Sequence, residues 1–206
     1  MRVRASVIAA TKQFKATGFP PADNPGLIVS ALIDGSAAKT VNQYFSKSGK
    51  LPSDCAGAGL AVLQKGLLNV VGNNLFNFAS RTADGGSEIL NATKEDLTDN
   101  MWLGDMVQLP NYDDWENYHP NPQTWAWRGE NVIKTGDDKF WGYVGSENYT
   151  VKSKQEWNDL LREAFNSLNG PKREGNIPAL SQKQTIFFPD IAAIAMKLFD
   201  VRSKNV

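Results

Sequence analysis

The single cysteine of this 206-residue chain, Cys55, lies in Leu51-Pro52-Ser53-Asp54-Cys55-Ala56-Gly57-Ala58-Gly59-Leu60. Pro52 and Ser53 read as a helix start with Ser53 as the N-cap. Leu60, Leu63, Leu67 and Val70–Val71 then recur as the apolar stripe of a helix packed on one side. Cys55 falls in the first turn of that helix, where unpaired N–H groups and the positive end of the dipole favour a thiolate. The same N–H groups could hold a developing oxyanion. The alternative for such a residue is a small buried hydrophobe, the common fate of a free cysteine.

A nucleophilic thiol needs a base. The single histidine, His119, sits in the turn-rich Tyr118-His119-Pro120-Asn121-Pro122 and is either an exposed loop residue or a base brought to Cys55 by the fold. A second region of interest is Trp125-Ala126-Trp127-Arg128-Gly129-Glu130-Asn131-Val132-Ile133. An acid inside an apolar strand is either exposed on an edge or has a dedicated partner. Arg128, two residues earlier, shares its face in a regular strand and is the first candidate for that partner. One His and one Cys are too few for a zinc site, and Asp113-Asp114 with Glu116 lacks EF-hand spacing. With no phosphate-binding glycine motif either, no metal, nucleotide or other cofactor is expected.

The elements that must position these groups follow from punctuation. Residues 1–17 suit a short amphipathic helix, and 19–26 a loop rich in Pro, Asn and Gly. Residues 27–33 are a short apolar run that fits helix or strand. Asp34-Gly35-Ser36 opens a helix reaching Tyr44 and Phe45. After the Cys55 helix, 82–99 is polar and reads as loop. From Trp102 onward the texture is β-like, with runs at 106–109, 124–127, 131–133 and 140–144, and a hairpin turn at Gly136-Asp137-Asp138. Ser153 and Glu156 make a capping box that starts a helix through Phe165, and 191–198 reads as a final helix. Helices, then an antiparallel sheet, then helices is an α+β order. The expected organisation is a single domain, with a helical part to residue 50, a core over about 50–165 and a helical tail over 170–206.

Basic and acidic residues balance at 22 each, without a basic block, so neither a nucleic-acid nor an anionic-membrane surface is signalled. One cysteine excludes an internal disulfide. The basic-then-apolar start is broken at Thr11-Lys12-Gln13, too short for a signal peptide, and no stretch approaches a membrane span. A soluble protein is expected, in the cytoplasm, in a spore coat or delivered to a target cell.

Several of these segments, in order, resemble the small transglutaminases of bacterial spore coats, the protein-glutamine γ-glutamyltransferases. Asp54-Cys55-Ala56 with the long apolar helix is similar to that family's acid-cysteine pair and helix. Gly104-Asp105 opens a strand as the family's Gly-Asp pair does, and Tyr118 to Pro122 resembles its Asn- and Pro-rich loop. Trp127-Arg128-Gly129-Glu130-Asn131-Val132-Ile133 reproduces a family strand without change, and Phe140-Trp141-Gly142 resembles the aromatic-Gly strand after it. The likeness runs over roughly residues 50–165.

That resemblance implies a core related to papain-like and NlpC/P60 hydrolases. The implied reaction is attack by Cys55 on a protein glutamine, loss of ammonia, and passage of the thioester to a lysine amine, or to water as deamidation. Catalytic roles carry over to Cys55, Glu130 and Asp54, with the two acids as partners of the thiol. Trp127 and Trp125 would line the acyl-donor channel and exclude water. The family's histidine in the aromatic-Gly strand aligns with Tyr143, which is no base at neutral pH but could contact substrate. His119 then stays a candidate base. The implied partners are a protein with exposed Gln, a Lys acceptor and, were this an effector or toxin domain, a cognate inhibitor or immunity protein. Two other readings stay open: a glutamine deamidase of one target, and a catalytically dead module that binds through Trp125, Trp127 and Trp141.

Overall fold

The computed structural model describes residues 2–16, 36–46, 52–80, 90–95, 101–119, 127–144, 149–167, 171–182 and 184–189. The expected loop at 19–26, the apolar run at 27–33, Trp125 and the final helix at 191–198 lie outside these residues.

One helix organises the molecule. Helix α3 (Cys55–Val71) is buried along most of its length, including Gly57, Ala58, Gly59, Ala61, Val62, Leu63, Gly66, Leu67 and Leu68. A helix covered on nearly all sides suits a run rich in Gly, Ala and Leu. Its small residues set how closely neighbours approach. A Cβ on Gly66 would come within 2.7 Å of the Val7 backbone in α1 (Arg2–Thr11), and one on Gly59 within 2.3 Å of Met106 Sδ. Two shorter helices, α2 (Ala37–Gln43) and α4 (Asn73–Ala79), also pack on α3. Ser36 caps α2 through the Lys39 N–H, so this helix starts where Asp34-Gly35-Ser36 signals it.

The helical layer covers one face of a six-stranded antiparallel sheet. Its strands are β1 (Leu90–Glu95), β2 (Met106–Pro110), β3 (Gly129–Gly136), β4 (Lys139–Tyr143), β5 (Tyr149–Lys152) and β6 (Gln184–Pro189), in the order β1-β6-β2-β3-β4-β5. Side chains alternate across the sheet as the pleat requires. Met106, Ile133, Trp141 and Tyr143 join the core around α3 and α1. Val107, Leu109, Val132, Phe140 and Ile186 join a second core with Trp157, Leu161 and Phe165 of α6 (Lys154–Ser167). Trp115 of the short helix α5 (Trp115–Tyr118) belongs to that second core.

Two expectations change here. Residues 90–95 form a strand rather than loop, and 184–189 form a strand within the segment expected as a helical tail. Strand β6 sits between β1 and β2, pairing Phe187 with Met106 on one side and with Ala92 on the other. The hairpin is as expected, with Asp138 at φ 45° in the turn. So is the capping box: Glu156 Oε2 accepts from the Ser153 N–H at 2.7 Å, and Ser153 Oγ accepts from the Glu156 N–H at 3.2 Å.

Candidate active site

Asp54, not Ser53, is the N-cap of α3. Its Oδ1 accepts from the Gly57 N–H at 2.7 Å and its backbone oxygen from the Ala58 N–H at 2.9 Å. Ser53 is buried one residue earlier and donates from Oγ to the Asp54 carbonyl at 3.0 Å. Cys55 is therefore the first helical residue, where N–H groups have no intrahelical acceptor. The segment before the cap is held from the side by Tyr44. This ring is buried, stacks on Phe14 at 5.8 Å, and donates its hydroxyl to the Pro52 carbonyl at 3.4 Å. Burial, then the nearby Asp54 charge, pushes the Tyr44 hydroxyl up to about 12, so it stays a donor.

The start of β3 faces the thiol. Asn131 Nδ2 donates to Cys55 Sγ at 3.4 Å, and Sγ lies 4.0 Å from the Gly129 carbonyl. The Glu130 side chain, 1% exposed, is close enough that its charge acts on the thiol. Burial is the largest influence on both groups and raises both. For Cys55 the Glu130 charge adds to the rise, the Asn131 side-chain and backbone donors oppose it, and Asp54 adds a smaller rise. For Glu130 the thiol is the main opposing influence. Among the described residues, Glu130 Oε2 is buried without a hydrogen-bond partner. Both partners are thus displaced upward from their ordinary values, chiefly by burial.

Arg128 does not pair with Glu130. Its guanidinium reaches Glu116 at 2.8 Å on the exposed surface. What holds this end of β3 is Asn111, which the sequence reading did not single out. Buried just after β2, it donates from one amide to the Trp127 carbonyl at 2.9 Å and the Leu161 carbonyl at 2.8 Å. Its Oδ1 accepts from the Tyr112 N–H at 2.9 Å. The Arg128 carbonyl in turn accepts from the Asn111 N–H at 2.9 Å. Gly129 follows with no room for a side chain, since a Cβ there would lie 2.7 Å from the Leu109 carbonyl oxygen.

The remaining expected residues are placed as follows. Trp127 is partly buried and packs against the α6-side core. Tyr143 is 1% exposed, with its ring edge-on to Phe14 at 5.5 Å, so it fills space in the α3-side core instead of presenting a surface to a substrate. His119 is buried between Trp115 (4.5 Å) and Phe165 (4.8 Å), in the core on the far side of the sheet from α3. The fold does not bring it to Cys55. Among the described residues no cluster of His, Cys, Asp and Glu could hold a metal ion, and no helix is long and apolar enough to cross a membrane.

Against this geometry, residues 32–163 match the family model for protein-glutamine gamma-glutamyltransferase, well over half of the chain. The chain belongs to that family. Among solved structures, it is similar to a transglutaminase from Geobacillus stearothermophilus (without C-terminal extension), at 16% identity and a TM-score of 0.61. That similarity covers 95% of this chain and 93% of the other, which ties the overall fold to the transglutaminase one. No curated protein matches the chain significantly by sequence. This transglutaminase-family chain thus has the mixed helix and antiparallel-sheet fold expected of it, with Cys55 opening α3. Its general chemistry is acyl transfer from protein glutamine, with proteins bearing Gln and Lys as the substrate class.

Proposed function

We propose that Cys55 is the nucleophile of a protein-glutamine γ-glutamyltransferase and that Glu130 is its proton partner. The carrying observation is the convergence of Glu130 and Asn131 from β3 on a thiol held at the first position of a 17-residue helix.

An ordinary carboxylate is a poor base for a thiol, about 4.3 against 8.5. Burial in a common site lifts Glu130 well above its usual range and lifts the Cys55 thiol as well, so thiolate formation leans on the Asn131 donors that oppose the rise of the thiol. Proton transfer from Sγ to Glu130 leaves the pair with one negative charge before and after, so it adds no charge to a poorly solvated site. Attack on the glutamine side-chain carbonyl forms the C–S bond and moves the π pair onto oxygen. Collapse breaks the C–N bond, and Glu130 returns its proton to the departing nitrogen, which leaves as ammonia. A lysine amine, giving up its proton to Glu130, then replaces sulfur and forms the isopeptide bond.

In this reading Asp54 is the cap that fixes Cys55, because its Oδ1 is committed to the Gly57 N–H. Trp127, next to the start of β3, is the described residue that would border the donor side and keep water from the thioester. His119 has no part. The core is papain-like in the sense that a helix-terminal cysteine meets a small antiparallel sheet. Whether the setting is a spore coat or an effector follows from which protein is modified.

The test is ammonia release from casein with and without a labelled primary amine, in wild type, Cys55→Ala and Glu130→Gln. Ammonia with amine incorporation, lost in both variants, supports transamidation. Ammonia without incorporation makes the enzyme a deamidase. A Cys55→Ala variant that still releases ammonia overturns the assignment.

A further inference from the structure

We infer that the side-chain amide of Asn131 is a catalytic residue of this site: it donates to Cys55 sulfur when the thiolate forms, and then to the oxyanion of the tetrahedral intermediate. The inference deepens the proposed acyl transfer and rests on it for the second of those roles.

The thiol has negative neighbours on two sides. Glu130 lies against it from β3, and Asp54 precedes it at the helix cap. A thiolate here is disfavoured by burial and by both acids, and the side chain that offsets them is Asn131, whose Nδ2 is 3.4 Å from Sγ. An amide suits this place better than a cation. It stabilises sulfur without neutralising Glu130, whose carboxylate must remain able to take the proton. Among the described residues the Asn131 amide makes no other side-chain hydrogen bond, and Asn131 is only partly buried, so one N–H is available as charge moves. Asn131 stands opposite exposed Gln108 in the β2–β3 register.

The step is balanced with the groups present. When thiolate sulfur forms its bond to the glutamine carbon, negative charge passes from sulfur to the former carbonyl oxygen. That oxygen lies within one bond length of the attacked carbon, near the thiol's donors. The Asn131 amide and the Cys55 backbone N–H, free at the first position of α3, then supply two donors from two different elements.

Asn131→Ala is the test, with two readouts. The first is the pH dependence of Cys55 alkylation by iodoacetamide, a neutral reagent that reports thiolate. The second is kcat and KM for ammonia release from casein. Losing a hydrogen bond to a charged sulfur moves the alkylation midpoint up by about one to two pH units. Losing an oxyanion donor lowers kcat about 10²- to 10³-fold with little change in KM. An unchanged alkylation profile in a variant that melts like wild type overturns the inference. So does a change in KM alone. Should Asn131→Ala fail to fold, isosteric Asn131→Asp replaces the donor with a third acid and must raise the midpoint further; a lower or equal midpoint overturns the inference. Wild type that releases no ammonia sinks the acyl-transfer reading instead, and the alkylation arm still decides the role of Asn131 at the thiol.

Discussion

Asp54 acts on the thiol of its neighbour Cys55 in two opposite directions. The Asp54 side chain caps α3 through the Gly57 N–H at 2.7 Å, and so presents Cys55 at the helix terminus where a thiolate is favoured. The charge of that same side chain raises the thiol. Position and charge are therefore separable by substitution.

Asn is as good an N-cap as Asp. Asp54→Asn is expected to leave stability within about 0.5 kcal/mol while lowering the Cys55 alkylation midpoint, so alkylation at pH 7 becomes faster. Asp54→Ala, which loses the cap, is expected to cost about 1 kcal/mol in urea unfolding. Slower alkylation in Asp54→Asn would mean that Asp54 is a base for the thiol and not chiefly its cap.

Glu130 supplies a pH signature for the fold as well as for the reaction. Its folded-state carboxyl is raised, mainly by burial. The stability it contributes is complete below the unfolded value of about 4.3 and is lost as pH rises through the folded value. Glu130→Gln, which cannot ionise, should therefore melt close to wild type near pH 4 and increasingly above it toward pH 8, by about 1–3 kcal/mol. Activity should move the other way. Wild-type kcat/KM is expected to fall on the acid side at a pH well above an ordinary carboxyl, and the variant to lose about 10²- to 10⁴-fold. A melting gap that closes as pH rises would contradict the buried placement of this carboxyl.

What the sequence makes legible is local. The helix opening at Cys55, the Ser153–Glu156 box and the Gly136–Asp138 turn all report interactions among residues a few positions apart, and all three elements stand, although the helix is covered on nearly all sides and Val70, placed in its buried stripe, is exposed. Strand β6 is different. Its partners are Met106–Val107 and Leu90–Glu95, about 80 to 100 residues away, and no short window carries that pairing. The Arg128–Glu130 pairing expected from a shared strand face fails for a geometric reason. β3 begins only at Gly129, and Trp127–Arg128 belong to a turn, so the period of two does not extend back to Arg128. Asn111 and Asn131 were hidden by type. Asparagine carries no apolar pattern and no titration, and only the fold shows that one amide reaches two carbonyls and the other reaches sulfur.

Asn111 is expected to be among the most sensitive positions outside the reacting groups. Asn111→Ala leaves the Trp127 and Leu161 carbonyls and the Tyr112 N–H without their side-chain partner in a buried site, a loss of about 2–4 kcal/mol in urea unfolding. Asn111→Asp keeps the size and the acceptor for Tyr112 but turns an anionic oxygen toward two carbonyls, so it should be no better than alanine. An aspartate variant of wild-type stability would show that the two donated hydrogen bonds matter little.

The brace between α1 and the sheet gives a prediction with the charge sign worked out. Asp105, 2% exposed, pairs with Arg4 of α1 at 3.0 Å, and its Oδ2 accepts from the Trp102 N–H at 3.0 Å. Burial nevertheless lifts its carboxyl to about 6, against the opposing pull of the Trp102 N–H, Arg4 and Lys134. A raised carboxyl contributes its stability below the unfolded value of about 3.9 and loses it as pH rises through the folded value. Arg4→Met keeps the apolar stem but removes the guanidinium, which helps hold Asp105 down and lies over the Trp102 ring at 5.5 Å. The folded value then climbs further, and the loss deepens above pH 6, where Asp105 must ionise with less support. Arg4 is itself 30% exposed, so solvent moderates the effect. The variant should melt near wild type at pH 4.5 and be about 1–2 kcal/mol less stable at pH 8. A deficit equal at both pH values would assign the contribution of Arg4 to packing on Trp102, and not to the Asp105 charge.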